Sequence, residues 1–276
     1  MSIRAIFVDL DGTLLGRSQV AVSRENMAAL QEALAKGIHV IPCTGRVYTM
    51  LPPQLLTQQG LRYFITSHGA RAYDRDTGES IYEDLIPPEE AAKLLSFLEG
   101  KGLYNEIAAQ AVIWLEKAVT EPLPMALVPE HHVWYIRDHC YTAVDSPGAH
   151  FLRHGIGVEK MNIYSIPENL RQPVFEFVKA AGYIGYALPG AGANLEILRP
   201  GQDKLRAVGV VLERLGVTME ETMAIGDTEP DMEMIRACGI GVAMGNAPDK
   251  VKAVADHVTD LNTENGVAKA IRKFVL

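Results

Sequence analysis

Short apolar runs of strand length recur at both ends of this chain, with helix-spaced segments between them. At the front stand residues 3–8, then "IHVIP" (38–42) and "YFITS" (63–67); toward the end come "NLEIL" (194–198), "TMAIG" (222–226) and "GIGVAM" (239–244). Strands buried on both faces read as continuous apolar runs, so a parallel sheet covered by helices is the expectation. Between the first two runs, Ser23 suits a helix N-cap, Met27, Leu30 and Leu34 follow a helical spacing, and Gly37 stops it. Further helices are predicted at about 46–59, 202–215, 229–237, 248–255 and 265–274. Strands separated by helices imply right-handed crossovers and an α/β fold.

The middle breaks this alternation. Residues 71–85 hold two short apolar stretches around a Gly-containing turn, which predicts a hairpin. Beyond it come a helix after Pro87-Pro88, apolar segments at 103–108 and 111–116, a Pro- and His-rich stretch, "EKMNIYS", a helix from about 168, and "YIGYAL". "PGAGAN" (189–194) reads as a joint. A chain of 276 residues suggests about two domains. The division predicted is one α/β domain in two pieces, residues 1–84 and 190–276, around an inserted domain at 85–189.

Composition narrows the class. A net charge of −8 without a basic run argues against nucleic acid as a partner. Cys43, Cys140 and Cys238 are odd in number and lack C-x-x-C spacing, which fits a reducing cytoplasm better than a disulfide scaffold. No run of 18 apolar residues is present, so no membrane span is expected. Oligomeric state is not legible.

Open parallel sheets bind ligands beyond the carboxyl ends of their strands. The loops there carry Asp9-Leu10-Asp11-Gly12-Thr13, Thr44-Gly45-Arg46, Lys204, and Asp227 with Asp231. Crowded carboxylates repel one another unless a cation joins them. A hard divalent ion such as Mg²⁺ suits oxygen ligands and leaves room for a substrate phosphate. Ion, hydroxyl, ammonium and backbone N–H groups together suit a phosphoryl group, and a remaining carboxylate can act as nucleophile. In an extended chain residues i and i+2 face the same side about 6.6 Å apart, so Asp9 could attack phosphorus while Asp11 reaches the leaving oxygen. Gly12 lets the chain turn away without a Cβ clash.

In this order, these residues closely resemble the haloacid dehalogenase superfamily of phosphatases. Asp9 to Thr13 matches its first motif, Thr44 the second, Lys204 the third, and Gly226-Asp227 with Asp231 the fourth. "TGR" (44–46), "LEI" (195–197) and "MGNA" (244–247) are similar to the Cof-type sugar-phosphatase branch. The resemblance implies a Rossmann-like parallel-sheet core in two sequence segments, with an inserted α/β cap that closes over the site and selects the substrate. It implies Asp9 as nucleophile and Asp11 as general acid, then base. It implies Thr44 and Lys204 on the phosphoryl group, with Gly12, Gly45, Arg46 and Asn246 in its surroundings. Mg²⁺ would be held by Asp9, Asp227, the backbone carbonyl of Asp11, and Asp231 in support. Three positions depart from the pattern: His68 where Asn is common, Leu205 where Gly is common, and Pro230 in place of Asn.

These features carry other readings. Asp9 and Asp11 suit a turn or a cap, Thr44 and Asp227 suit helix caps, Asp231 suits a solvated first turn favoured by the helix dipole, and Lys204 suits a solvated surface. His131, His132, His139, His150 and His154 fit no zinc spacing. Trp114, Trp134 and Tyr135 read as core before they read as a substrate pocket. "GAGAN" lacks the last glycine of a dinucleotide fingerprint, and no P-loop motif is present. The predicted activity is Mg²⁺-dependent hydrolysis of a small phosphorylated metabolite, a sugar phosphate first, through phospho-Asp9. A phosphomutase and a non-catalytic phosphate-binding module remain the alternatives. A dehalogenase would need neither Asp11 nor a metal.

Overall fold

The computed structural model of the chain describes residues 2–122, 125–128, 132–138, 140–188 and 193–276. It divides into two compact units: Met1–Arg46, Leu51–Glu83 and Asp203–Leu276 form the first, Val47–Met50 and Asp84–Gln202 the second.

The first unit opens with β1 (Ala5–Val8), α1 (Arg24–Ala35), β2 (His39–Pro42), α2 (Pro53–Thr57), β3 (Tyr63–Thr66), β4 (Arg71–Asp74) and β5 (Glu79–Glu83). The second unit contributes α3 (Pro88–Leu98), β6 (Tyr104–Ala109), β7 (Val112–Glu116), α4 (Val133–Arg137), β8 (Tyr141–Val144), α5 (Pro147–His154), β9 (Lys160–Ile166), α6 (Glu168–Ala180), β10 (Ile184–Leu188) and β11 (Ala193–Leu198). The chain then returns with α7 (Lys204–Leu215), β12 (Thr222–Gly226), α8 (Met232–Ala237), β13 (Ile240–Ala243), α9 (Asp249–Lys252), β14 (His257–Val258) and α10 (Gly266–Phe274).

Among the described residues the first unit holds a parallel sheet in the order β14-β13-β12-β1-β2. Strand β1 lies at its heart, with Val8 opposite Ile225 on one side and Pro42 on the other. All four β1 residues are buried, as its unbroken apolar run requires. A bridge between Cys43 and Ile65 carries β3 alongside β2, and β3, β4 and β5 continue as an antiparallel meander. The hairpin expected over 71–85 is thus β4 and β5.

Two expectations are corrected. The segment 194–198 was assigned to the core sheet, but β11 pairs antiparallel with β10 and β9 of the second unit. Leu195 to Leu198 are all buried, which fits either sheet, and hydrogen bonding to β9 decides. The helix expected over 46–59 shrinks to α2, because two prolines at 52 and 53 forbid a continuous run: a residue before proline avoids the α region. Residues 189–192 of the predicted joint, like His131 and His139, lie outside the described residues.

In the second unit the sheet runs β10-β11-β9-β6-β7-β8. One face, with Ile107, Met161, Ile163, Leu195 and Ile197, joins the apolar side of the helices. The other carries Glu106, Asn162 and Glu196 in one row, since alternate residues face opposite sides. Lys160 Nζ donates to Glu196 at 2.5 Å, and His132 Nδ1 lies 2.8 Å from Glu106. Tyr135 is fully buried and Trp114 donates from Nε1 to the carbonyl of Ala109, so both are packing residues. Among the described residues no helix is long and apolar enough to cross a membrane.

Candidate active site

Three adjacent strands end in the loops that matter. Asp9 follows β1, Asp227 follows β12, and Cys43 and Thr44 follow β2. The register of β1 against both neighbours places these loops side by side at the sheet's carboxyl end.

Immediately after Asp9 the chain makes a tight turn in which Leu14 N donates to the carbonyl of Asp9 at 3.2 Å. Gly12 sits at φ +79°, where an L side chain is strained, and a Cβ there would collide with Asp227 Oδ2. The turn brings Thr13 Oγ1 within 2.7 Å of Asp227 Oδ1, to which it donates. Asn246 Nδ2 donates to the carbonyl of Gly12 at 2.8 Å and to Asp227 Oδ2 at 3.3 Å. Asn246 is itself fixed by Asn262, whose backbone N–H donates to its Oδ1 at 3.0 Å.

Lys204 owes its position to α7. Asp203 caps that helix by accepting from Arg206 N at 2.9 Å, and Gly216 ends it in the left-handed region. Lys204 shares one stripe with Val208 and Val211, so its side chain must enter the interior. Only 1% exposed, its Nζ donates to Asp9 Oδ1 at 2.6 Å, to Asp231 Oδ1 at 2.6 Å and to the carbonyl of Cys43 at 2.8 Å.

Asp231 is fully buried, and its Oδ2 accepts from Asp227 N, Thr228 N and Thr228 Oγ1 at 3.1, 2.9 and 2.9 Å. This reciprocal capping of residues 228–231 accommodates Pro230, since proline fits the first turn of a helix. Leu205 packs against the apolar core of the first unit.

Carboxylate oxygens of Asp9, Asp227 and Asp231 lie within 4.8 Å of one another, and all three residues are buried. One ammonium cannot neutralise three carboxylates. Burial, with Asp231 adding to it, pushes Asp9 well above the ordinary carboxyl range although Lys204 pulls it back. Burial raises Asp227 to about 7; the Thr13 hydroxyl opposes this and Asp231 reinforces it. Burial alone would lower Lys204, but Asp231 and Asp9 hold it well above its usual value. A hard divalent cation fits this all-oxygen, over-charged donor set.

A second group stands beside the first. Arg46, with a side chain only 4% exposed, donates from Nε to Asp11 Oδ2 at 2.8 Å, and from Nη2 to Asp11 Oδ1 and to the carbonyl of Gln19. The backbone N–H of Arg46 donates to Thr44 Oγ1 at 3.1 Å, and its carbonyl accepts from Ser67 N at 2.9 Å. A Cβ at Gly45 would meet the His68 ring, which would have to shift. His68 takes up the position left by the familiar Asn, as a wall of the Thr44 loop.

The predicted residues therefore gather in two linked groups: Asp9, Gly12, Lys204, Asp227, Asp231 and Asn246, and then Asp11, Thr44, Gly45 and Arg46. The Asp11 carboxylate is not in the trio; it faces Arg46. Sequence reading gave no role to Thr13, Cys43 or Thr228. The hydroxyl of Thr13 lay within the quoted first motif, whereas the Cys43 carbonyl left no signal in its residue type.

A family model for haloacid dehalogenase-like hydrolases matches residues 6–271. The chain is 31% identical to a 5-amino-6-(5-phospho-D-ribitylamino)uracil phosphatase of Bacillus subtilis, over 100% of this chain and 97% of that protein. It superposes on a haloacid dehalogenase-like hydrolase from Bacteroides thetaiotaomicron with a TM-score of 0.82 at 26% identity, covering 99% of each chain. A subclass IIB sugar phosphatase of the same superfamily matches with a TM-score of 0.75 at 28% identity, over 98% of each chain. The chain belongs to the haloacid dehalogenase-like hydrolases, as a subclass IIB enzyme with an α/β core.

Proposed function

We propose that this enzyme is a Mg²⁺-dependent phosphatase that hydrolyses a small phosphorylated metabolite, a sugar or sugar-alcohol phosphate first, through a phosphoryl group carried on Asp9. The observation that carries this reading is the buried trio of Asp9, Asp227 and Asp231 with Lys204 at its centre. The names of the relatives, a ribityl-phosphate phosphatase and a sugar phosphatase, support the substrate class.

Asp9 supplies the attacking carboxylate oxygen. As its bond to phosphorus forms, the bond to the leaving oxygen breaks, and Asp11 delivers a proton to that oxygen. Asp11 then takes a proton from water, whose oxygen attacks phosphorus and releases phosphate from Asp9. The Lys204 ammonium offsets charge on the transferring group, and Thr44 with the N–H groups near Gly12 and Gly45 binds its oxygens. Arg46 and Asn246 shape the surroundings. Asp9, Asp227, the carbonyl of Asp11, and Asp231 would hold Mg²⁺, which when bound neutralises charge on the phosphoryl oxygens. The inserted segment Asp84–Gln202 carries substrate selectivity, and the enzyme works in the cytoplasm.

The test is phosphate release from sugar phosphates, nucleotides, pyridoxal phosphate and flavin mononucleotide with excess Mg²⁺, with Asp9→Asn as the blank. Release that needs both Mg²⁺ and Asp9 supports the reading. An isomer in place of free phosphate would make the enzyme a mutase, and a ligand bound but never consumed would make it a binding module.

A further inference from the structure

Asp11 stands apart from the buried trio, yet it is not loose. Its carboxylate is gripped by two parallel donors of one guanidinium, from Nε to Oδ2 and from Nη2 to Oδ1 of the same residue. A bidentate fork of this kind fixes the plane of a carboxylate as well as its distance, which a single ammonium cannot do. The grip is itself anchored. Arg46 Nη2 donates to the carbonyl of Gln19 at 2.5 Å, and Gln19 has φ +51° in the loop closed by the Leu15–Val22 bridge. The Arg46 backbone bonds to Thr44 Oγ1 and accepts from Ser67 N, so three loops hold its main chain and side chain. No such rigidity is needed for a carboxylate that only solubilises a turn, and the Asp11 side chain is 35% exposed while that of its partner is 4%.

We propose that Arg46 is a positioning residue: it aims Asp11 at the leaving oxygen and, in the second half of the reaction, at the attacking water. This rests on the phosphatase reading above and deepens it. The phosphoryl group itself is handled by the Lys204 group, and Arg46 acts through Asp11. In the first half-reaction the Asp9–phosphorus bond forms and the phosphorus–oxygen bond to the alcohol breaks, while the proton carried on Asp11 Oδ1, which gives up Arg46 Nη2 as Nε keeps its hold on Oδ2, passes to that alcohol. In the second, water gives its proton to Asp11 and its oxygen to phosphorus, and the Asp9–phosphorus bond breaks.

A leaving group that needs no proton separates this role from phosphate binding. Wild type, Arg46→Gln and Arg46→Lys are compared on an alkyl sugar phosphate and on p-nitrophenyl phosphate. The ratio of the two kcat/KM values cancels any loss of folded enzyme. In both variants kcat/KM should fall about 10²-fold or more on the sugar phosphate and less than about tenfold on p-nitrophenyl phosphate, as loss of general acid assistance demands. Turnover of p-nitrophenyl phosphate should then show a burst of nitrophenolate, one per enzyme, because the phosphoenzyme waits for a mispositioned base. An equal loss on both esters, with weaker inhibition by inorganic phosphate, would overturn the inference and make Arg46 a phosphate ligand. No loss on either would overturn it as well. A wild-type enzyme that hydrolyses neither ester would instead sink the phosphatase reading, and this inference with it.

Discussion

Lys204 Nζ lies 2.6 Å from Asp9 Oδ1, joining residues 195 positions apart in the sequence. The same nitrogen holds Asp231 at 2.6 Å and the Cys43 carbonyl at 2.8 Å, so one ammonium ties together the loops after β1, β2 and β12.

Removing that ammonium leaves buried carboxylates without a partner. Lys204→Met should therefore destabilise the metal-free protein by roughly 3–5 kcal/mol, the usual cost of deleting one member of a buried ion pair. Phosphate release should fall with it. Excess Mg²⁺ should recover part of the stability but not the activity. Denaturant titration with and without Mg²⁺, beside a phosphate assay, checks both halves.

The carboxylates also predict a pH dependence. Burial raises Asp227 from its ordinary 3.8 to about 7, so the native metal-free state binds this proton more tightly than the unfolded chain does. Its contribution is therefore present at low pH and is lost as pH rises from the unfolded value through the folded one. In chelator, wild type should lose stability relative to Asp227→Asn between about pH 4 and about pH 7. Mg²⁺ needs the ionised form, so its binding should release more protons and be weaker at about pH 6 than at about pH 8. Calorimetry in buffers of different ionisation heat reads the protons directly.

Gly12 has no room for a side chain. Gly12→Ala forces a Cβ against Asp227 Oδ2 at a backbone angle that costs an L residue about 1–2 kcal/mol. Because the clash falls on a carboxylate of the trio, Mg²⁺ affinity and kcat should suffer more than the melting temperature does. A variant that melts far lower yet keeps its Mg²⁺ affinity would contradict this.

Asn246 holds Asp227 and the Gly12 carbonyl from outside the trio. Asn246→Ala should weaken Mg²⁺ binding about 10–100-fold, as losing a partner that orients a ligand does. Saturating Mg²⁺ should restore most of kcat; a defect that persists at saturation would place Asn246 on the substrate instead.

Much of this was legible beforehand, because Asp9 and Asp227 sit directly after strands whose apolar runs mark their ends, and Thr44 one residue further on. Asp9, Thr44 and Asp227 come after β1, β2 and β12, whereas the burial of Lys204 shows only once α7 sets it on the stripe of Val208 and Val211. What stayed hidden depends on contacts between distant segments. Nothing in "TGR" says that Arg46 grips Asp11, and nothing near Thr13 points to Asp227. The strand β11 was assigned to the wrong sheet because an apolar strand looks the same whichever neighbour it pairs with. The later Pro200-Gly201 turn, just before Asp203 caps α7, was the better sign of the return to the core.

The central claim is that Asp9 carries the phosphoryl group. Enzyme mixed with Mg²⁺ and p-nitrophenyl phosphate, quenched in acid within the first turnovers and digested, should yield an Asp9 peptide heavier by one phosphoryl group. Arg46→Gln should accumulate more of it. An Asp9 peptide that stays unmodified while phosphate is being released, or a phosphoryl group found on another residue, would contradict the account.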